Sequence, residues 1–138
     1  MSTAVEPHDL AGAARELLRD DGGRTAGVWP RAAAVLARQA IELGLERLWD
    51  LRCPGLQITT MRAQLLCLRH LLKDPDLAGR VAVAHGALSR VLHHSATDTA
   101  PVHSELLRWI EVAWQLADRV VAEERQAALV RLARAGAG

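Results

Sequence analysis

Phenylalanine and tyrosine are both absent from this chain, and four tryptophans make up its whole aromatic content. A core is still required, because half of the 138 residues are hydrophobic. It has to be assembled from leucine, alanine and valine. Leucine and alanine are strong helix formers, and the aromatic residues that most favour strands are missing. No stretch alternates apolar and polar residues as a half-buried strand does. The fold class that follows is all-α. The length suits one domain, residues 1–138, which at this size buries about two thirds of the surface its unfolded form exposes and needs no staple.

Proline and glycine punctuate the helices. Leu10, Ala13, Ala14, Leu17 and Leu18 recur at helical spacing between Asp9 and Arg19, and Asp20-Asp21-Gly22-Gly23 stops the run. Trp29-Pro30 opens a second helix, with proline near the first turn, where a missing N–H costs least. It runs to about Arg52 and ends at Cys53-Pro54-Gly55. Its apolar residues cover more than one stripe, which predicts a central helix or one with a second helical partner. Thr59 or Thr60 caps a third helix that Lys73-Asp74-Pro75 stops, and Asp76 caps a fourth. A polar break from Ser95 to Ala100 precedes Pro101, which opens the longest helix, running to about Ala135. Polarity rises after Val121, so residues 122–138 are expected to project or fray. Short connections make sequential helices antiparallel neighbours, and the architecture expected is an antiparallel four- to five-helix bundle.

Seventeen basic residues against sixteen acidic ones leave a net charge of +1, so any site for a polyanion has to be a local patch. No apolar stretch approaches the roughly 18 residues of a membrane helix, and no N-terminal run combines a basic start with an apolar stretch, so neither a span nor a secretory signal is expected. Cys53 and Cys67 form no CxxC motif; Cys67, within Leu65-Leu66-Cys67-Leu68, reads as a buried thiol in a reducing, cytoplasmic compartment. No P-loop, GxGxxG, HExxH or bundle ExxH pair occurs, so neither a cofactor nor a metal is expected.

Histidine is the informative residue type. His85, His93 and His94 lie on or just after the fourth helix. Arg90 and His94 are four apart and share a helix face if the helix continues that far. A neighbouring cation favours the neutral imidazole, which can act as a base, and an arginine can hold a phosphate through two parallel hydrogen bonds. That pairing suits phosphodiester cleavage without metal. The same histidines, placed in the last turn of a helix, can instead meet its dipole and bond its free carbonyls.

The stretch Arg38-Gln39-Ala40-Ile41-Glu42-Leu43-Gly44-Leu45-Glu46-Arg47-Leu48 resembles the second-helix signature of HEPN domains. Leu88-Ser89-Arg90-Val91-Leu92-His93-His94, followed by a polar turn and then Pro101 and Glu105-Leu106, is similar to the family's motif region. The resemblance covers roughly residues 29–121. It implies a HEPN-like bundle that often dimerises, and in active members a metal-independent endoribonuclease, frequently a toxin or defence effector. On that resemblance Arg90 orients the scissile phosphate and His94, or His93, moves the proton. The family spacing is R-x(4–6)-H with a polar residue after the arginine, whereas Arg90 to His94 spans three residues and Val91 follows the arginine. A literal R-x4-H exists at Arg80 and His85, a rival pair that also lacks the polar residue.

Two functions follow. One is a HEPN ribonuclease or toxin that acts on RNA as a homodimer and is neutralised by a cognate antitoxin. The other is a non-catalytic HEPN-like module that dimerises or binds a partner protein. The balanced charge leans to the second, since a free nuclease benefits from a basic surface. Because the second helix is apolar on several sides, a two-fold homodimer through one of its faces is expected.

Overall fold

The computed structural model describes residues 4–19, 28–93 and 103–137. Five α-helices follow one another: α1 (Pro7–Arg19), α2 (Val28–Arg52), α3 (Met61–Leu71), α4 (Pro75–His93) and α5 (His103–Gly136), with one 3₁₀ turn at Leu56–Ile58 between α2 and α3. No strand occurs among the described residues, so the protein is an all-α bundle.

The helix ends follow local chemistry. Pro7 starts α1, and the Asp9 carboxylate reaches back to accept from the Glu6 backbone N–H at 2.9 Å. Glu6 therefore sits where a cap sits, three residues before an acidic partner. Gly55, at φ 98°, adopts the left-handed backbone that lets the chain turn out of α2. Thr60 caps α3 by accepting from the Ala63 N–H at 3.2 Å. At α4 the cap is Asp74, whose Oδ1 accepts from the Leu77 N–H at 3.1 Å, and not Asp76. The helix starts at Pro75, two residues before the position expected from the sequence, because proline fits the first helical position. The breakers at residues 20–23, 95–100 and 101 lie outside the described residues.

Helix α2 lies at the centre. Ala33, Ala34, Ala37, Ala40, Ile41, Leu45, Leu48 and Trp49 are all buried, an arc that spans about half its circumference. Gln39, Glu46 and Asp50 occupy the exposed remainder. α1, α5 and α4 divide the apolar arc among them. The second apolar side of α2, expected to serve a two-fold homodimer, is thus covered within the chain. Alanine makes this possible, since four small side chains let neighbouring helices close in on one axis.

Directions follow from pairs of contacts. His8 meets Asp118 and Arg15 meets Glu111, so α1 runs antiparallel to α5. Asp74 faces Arg119 and Arg80 faces Gln115, so α4 does the same. Gly44 packs at Leu116 and Arg47 reaches Glu124, so α2 and α5 run parallel. α5 contributes Leu106, Ile110, Ala113, Leu116, Ala117 and Val120 to the core, while Trp109 is only partly buried. In α1 it is Ala11, not Ala13, that is buried beside Ala14 and Leu18.

Candidate functional site

The five residues expected to carry chemistry fall on or next to α4. The buried side of this helix is Leu77, Ala78, Val81, Ala84, Ala87 and Leu88. Successive residues advance by about 100° around a helix, so Arg80 and His85 flank this stripe on opposite sides. Each therefore meets a different neighbour. Arg80 is tied to Asp76, one turn back, at 3.0 Å, and donates to Gln115 Oε1 on α5. His85 turns the other way, to α2, where its Nε2–H donates to Glu42 Oε1 at 3.1 Å. The rival pair does not converge.

Arg90 lies on the outer face of α4 and is exposed, as is His93 three residues on. Its guanidinium folds back along its own helix: Nη1 lies 3.6 Å from where a Cβ of Gly86 would stand. This direction is toward the N-terminus, away from the end of the helix at His93. His94 lies outside the described residues, so the Arg90–His94 relation has no counterpart among them.

What the fold does bring together is a third grouping. Glu42 accepts from His85 and also faces Arg38, one turn back on α2, with Arg38 Nε 3.6 Å from the same Oε1. The His85 side chain is 12% exposed. Arg38 Nε is buried without a hydrogen-bond partner. A carboxylate bonded to Nε2 fixes the imidazole tautomer and orientation, leaving Nδ1 as the nitrogen able to take up a proton. Neither Arg38 nor Glu42 was singled out from sequence for chemistry, although both lie in the stretch that resembles the HEPN second helix. Their i, i+4 spacing was visible; the histidine on a distant helix was not.

Comparable ties recur elsewhere. Trp49 Nε1–H donates to Gln64 Oε1 at 2.9 Å inside the core, and Gln64 Nε2 donates onward to the Thr59 carbonyl at 3.0 Å. Arg47 forks onto Glu124 and also pairs with Glu6. On the α1–α5 seam, His8 donates to Asp118 at 2.7 Å and stands edge-on to Trp114, which also lies under the Arg15 guanidinium. Trp114 is thus a seam residue, covered by two polar side chains of α1. The His85–Glu42 bond belongs to the same set of cross-helix ties.

Cys67 is half-buried rather than buried, in the wall of a shallow groove with Leu66, Arg69, His70 and Pro75. Cys53 is exposed. Among the described residues no group of three or more His, Cys, Asp or Glu is placed to hold a metal ion. No helix of the described residues is long and apolar enough to cross a membrane. No family model, curated protein or solved structure matches this chain.

Proposed function

We propose that the chain is a HEPN-like helical module whose work is binding a partner protein, not catalysis. The observation that carries this reading is the divergence of Arg80 and His85 on α4. Arg80 turns to α5, His85 turns to α2 and Arg90 lies back along Gly86, so among the described residues the literal arginine–histidine pair does not address one point. Phosphodiester cleavage needs both within reach of the same phosphate. The test is incubation of the purified protein with RNA in the presence of a chelator. No cleavage is expected, and His85→Ala is expected to lower stability by about 1 kcal/mol through the lost bond to Glu42.

A second reading rests on the Arg38–Glu42–His85 grouping. In a metal-independent ribonuclease, His85 held by Glu42 would exchange the proton at Nδ1 while Arg38 or Arg90 steadies the phosphate. Cleavage in chelator that His85→Ala abolishes, by the ~10²–10⁴-fold of a lost acid–base group at a temperature where the variant remains folded, would establish this reading and reject the first.

A further inference from the structure

The last turns of α5 carry a surface that the rest of the fold leaves open. α1 lines α5 at Glu111, Trp114 and Asp118. Arg47 holds α5 once more, at Glu124. Beyond that point Leu129 is 60% and Leu132 69% exposed. Arg125, Leu129 and Leu132 fall at i, i+4 and i+7, which places them on one stripe. Arg125, Arg131 and Arg134 are all exposed and make no ion pair among the described residues. No acidic residue follows Glu124.

We infer that this stripe docks an acidic amphipathic helix of a partner protein, whose apolar side receives Leu129 and Leu132 and whose carboxylate meets Arg125. The inference rests on the binding-module reading above and names its surface and partner class. Charge complementarity selects the occupant. A second copy packed through the same stripe would bring another Arg125 and no free carboxylate from that stretch of α5, because Glu124 is held by Arg47 and Glu123 faces Arg119 and Arg52. An anionic bilayer attracts arginines, but a helix lying on it keeps its charges apart from its apolar face. Here Arg125 sits inside the leucine stripe. A nucleic acid laid on this stripe would satisfy Arg125 alone and leave the two leucines facing phosphates, since Arg131 and Arg134 lie about 240° and 180° around the helix from Arg125. Only a protein surface supplies an apolar centre and a carboxylate together, and arginine beside large apolar residues is the composition of such contacts.

Fluorescence anisotropy on the full chain tests this with a labelled helical peptide of about six turns, leucines along one face and glutamates flanking them. The peptide should bind, and Arg125→Glu and the double variant Leu129→Ala with Leu132→Ala should each weaken binding about tenfold or more at unchanged melting temperature. Arg125→Glu should also transfer preference to the same peptide carrying lysines in place of glutamates. Failure of the glutamate peptide to bind, equal binding of the lysine peptide by the parent chain, or tighter binding to phosphatidylcholine–phosphatidylglycerol vesicles or to a poly-uridine oligonucleotide overturns the docking surface. So does a dimer, seen by light scattering, that dissociates in the double leucine variant. RNA cleavage in chelator by the parent chain sinks the binding-module reading itself, whatever the peptide does, so the two failures are told apart.

Discussion

The guanidinium of Arg119, on α5, reaches the end of α3 and donates to the carbonyl of Leu72 at 2.6 Å. Arg52, at the end of α2, does the same for the Leu71 carbonyl at 2.7 Å. Glu123 stands beside both cations, 3.3 Å from Arg119 Nε and 3.8 Å from Arg52 Nη1. The last carbonyls of a helix have no partner within it and carry partial negative charge, so two arginines from other helices both cap and anchor α3.

Arg119→Ala is therefore expected to destabilise the protein by about 1–2 kcal/mol, the range for a hydrogen bond to a charged group at a partly exposed site. Arg119→Lys should recover only part, because an ammonium cannot serve the carbonyl and the carboxylate with the geometry of a fork. Urea unfolding of the three proteins measures both effects.

Gln64 is the one buried polar side chain among the described residues, and its amide joins Trp49 to the turn before α3. Gln64→Leu strands the indole N–H and should cost about 1–3 kcal/mol. Trp49→Phe in the same background removes the stranded donor, so the double variant should lose less than the sum of the single losses. A double-mutant cycle in which the double loss equals the sum of the single losses would show that the bond contributes nothing.

Two glycines should respond in opposite directions. Gly79 has nothing within 4 Å of an added Cβ, so Gly79→Ala should stabilise α4 by up to about 1 kcal/mol, the helix-propensity difference. At Gly44 an added Cβ would stand 3.2 Å from Leu116 Cδ2 and 3.3 Å from its Cγ. Leu116 is fully buried, so overpacking there should outweigh the propensity gain, and Gly44→Ala should lower the melting temperature. Pairing it with Leu116→Val should restore part of the loss.

At the start of α4 the two aspartates should separate cleanly. Asp74→Ala removes the cap and should cost about 1 kcal/mol. Asp76→Ala removes an exposed pair with Arg80 and a first-turn carboxylate near the helix dipole, and should cost less than the cap, about 0.5 kcal/mol. Thermal melts of the two variants decide the assignment.

The helices were legible because their signals are local. Pro54-Gly55, Thr60 and Pro75 act through backbone geometry within a few residues, and the apolar spacing of Leu106, Ile110, Ala113 and Val120 marks the buried side of α5 directly. Placing the cap at Asp76 went wrong because two aspartates flank Pro75 and periodicity locates a helix end only to within a residue or two. The candidate site was harder. Arg80 and His85 have the literal motif spacing, yet 500° of helical rotation sends them to different neighbours, which spacing along the chain does not convey. Glu42 meets His85 across two helices, and that meeting depends on α2 lying beside α4. What covers α2 was equally illegible: a helix apolar on several sides reads the same whether its second cover comes from another copy or from α5.

That α2 is closed by α5, which follows it by some fifty residues and runs parallel to it, has a consequence for synthesis. Gly44 leaves the ribosome long before Leu116, and until Leu106, Ile110, Ala113, Leu116 and Val120 follow, part of the apolar arc of α2 has no lid. Nascent chains stalled before α5 would present an alanine- and leucine-lined groove to the cell's chaperones and proteases, so the domain completes its fold only once α5 has been made.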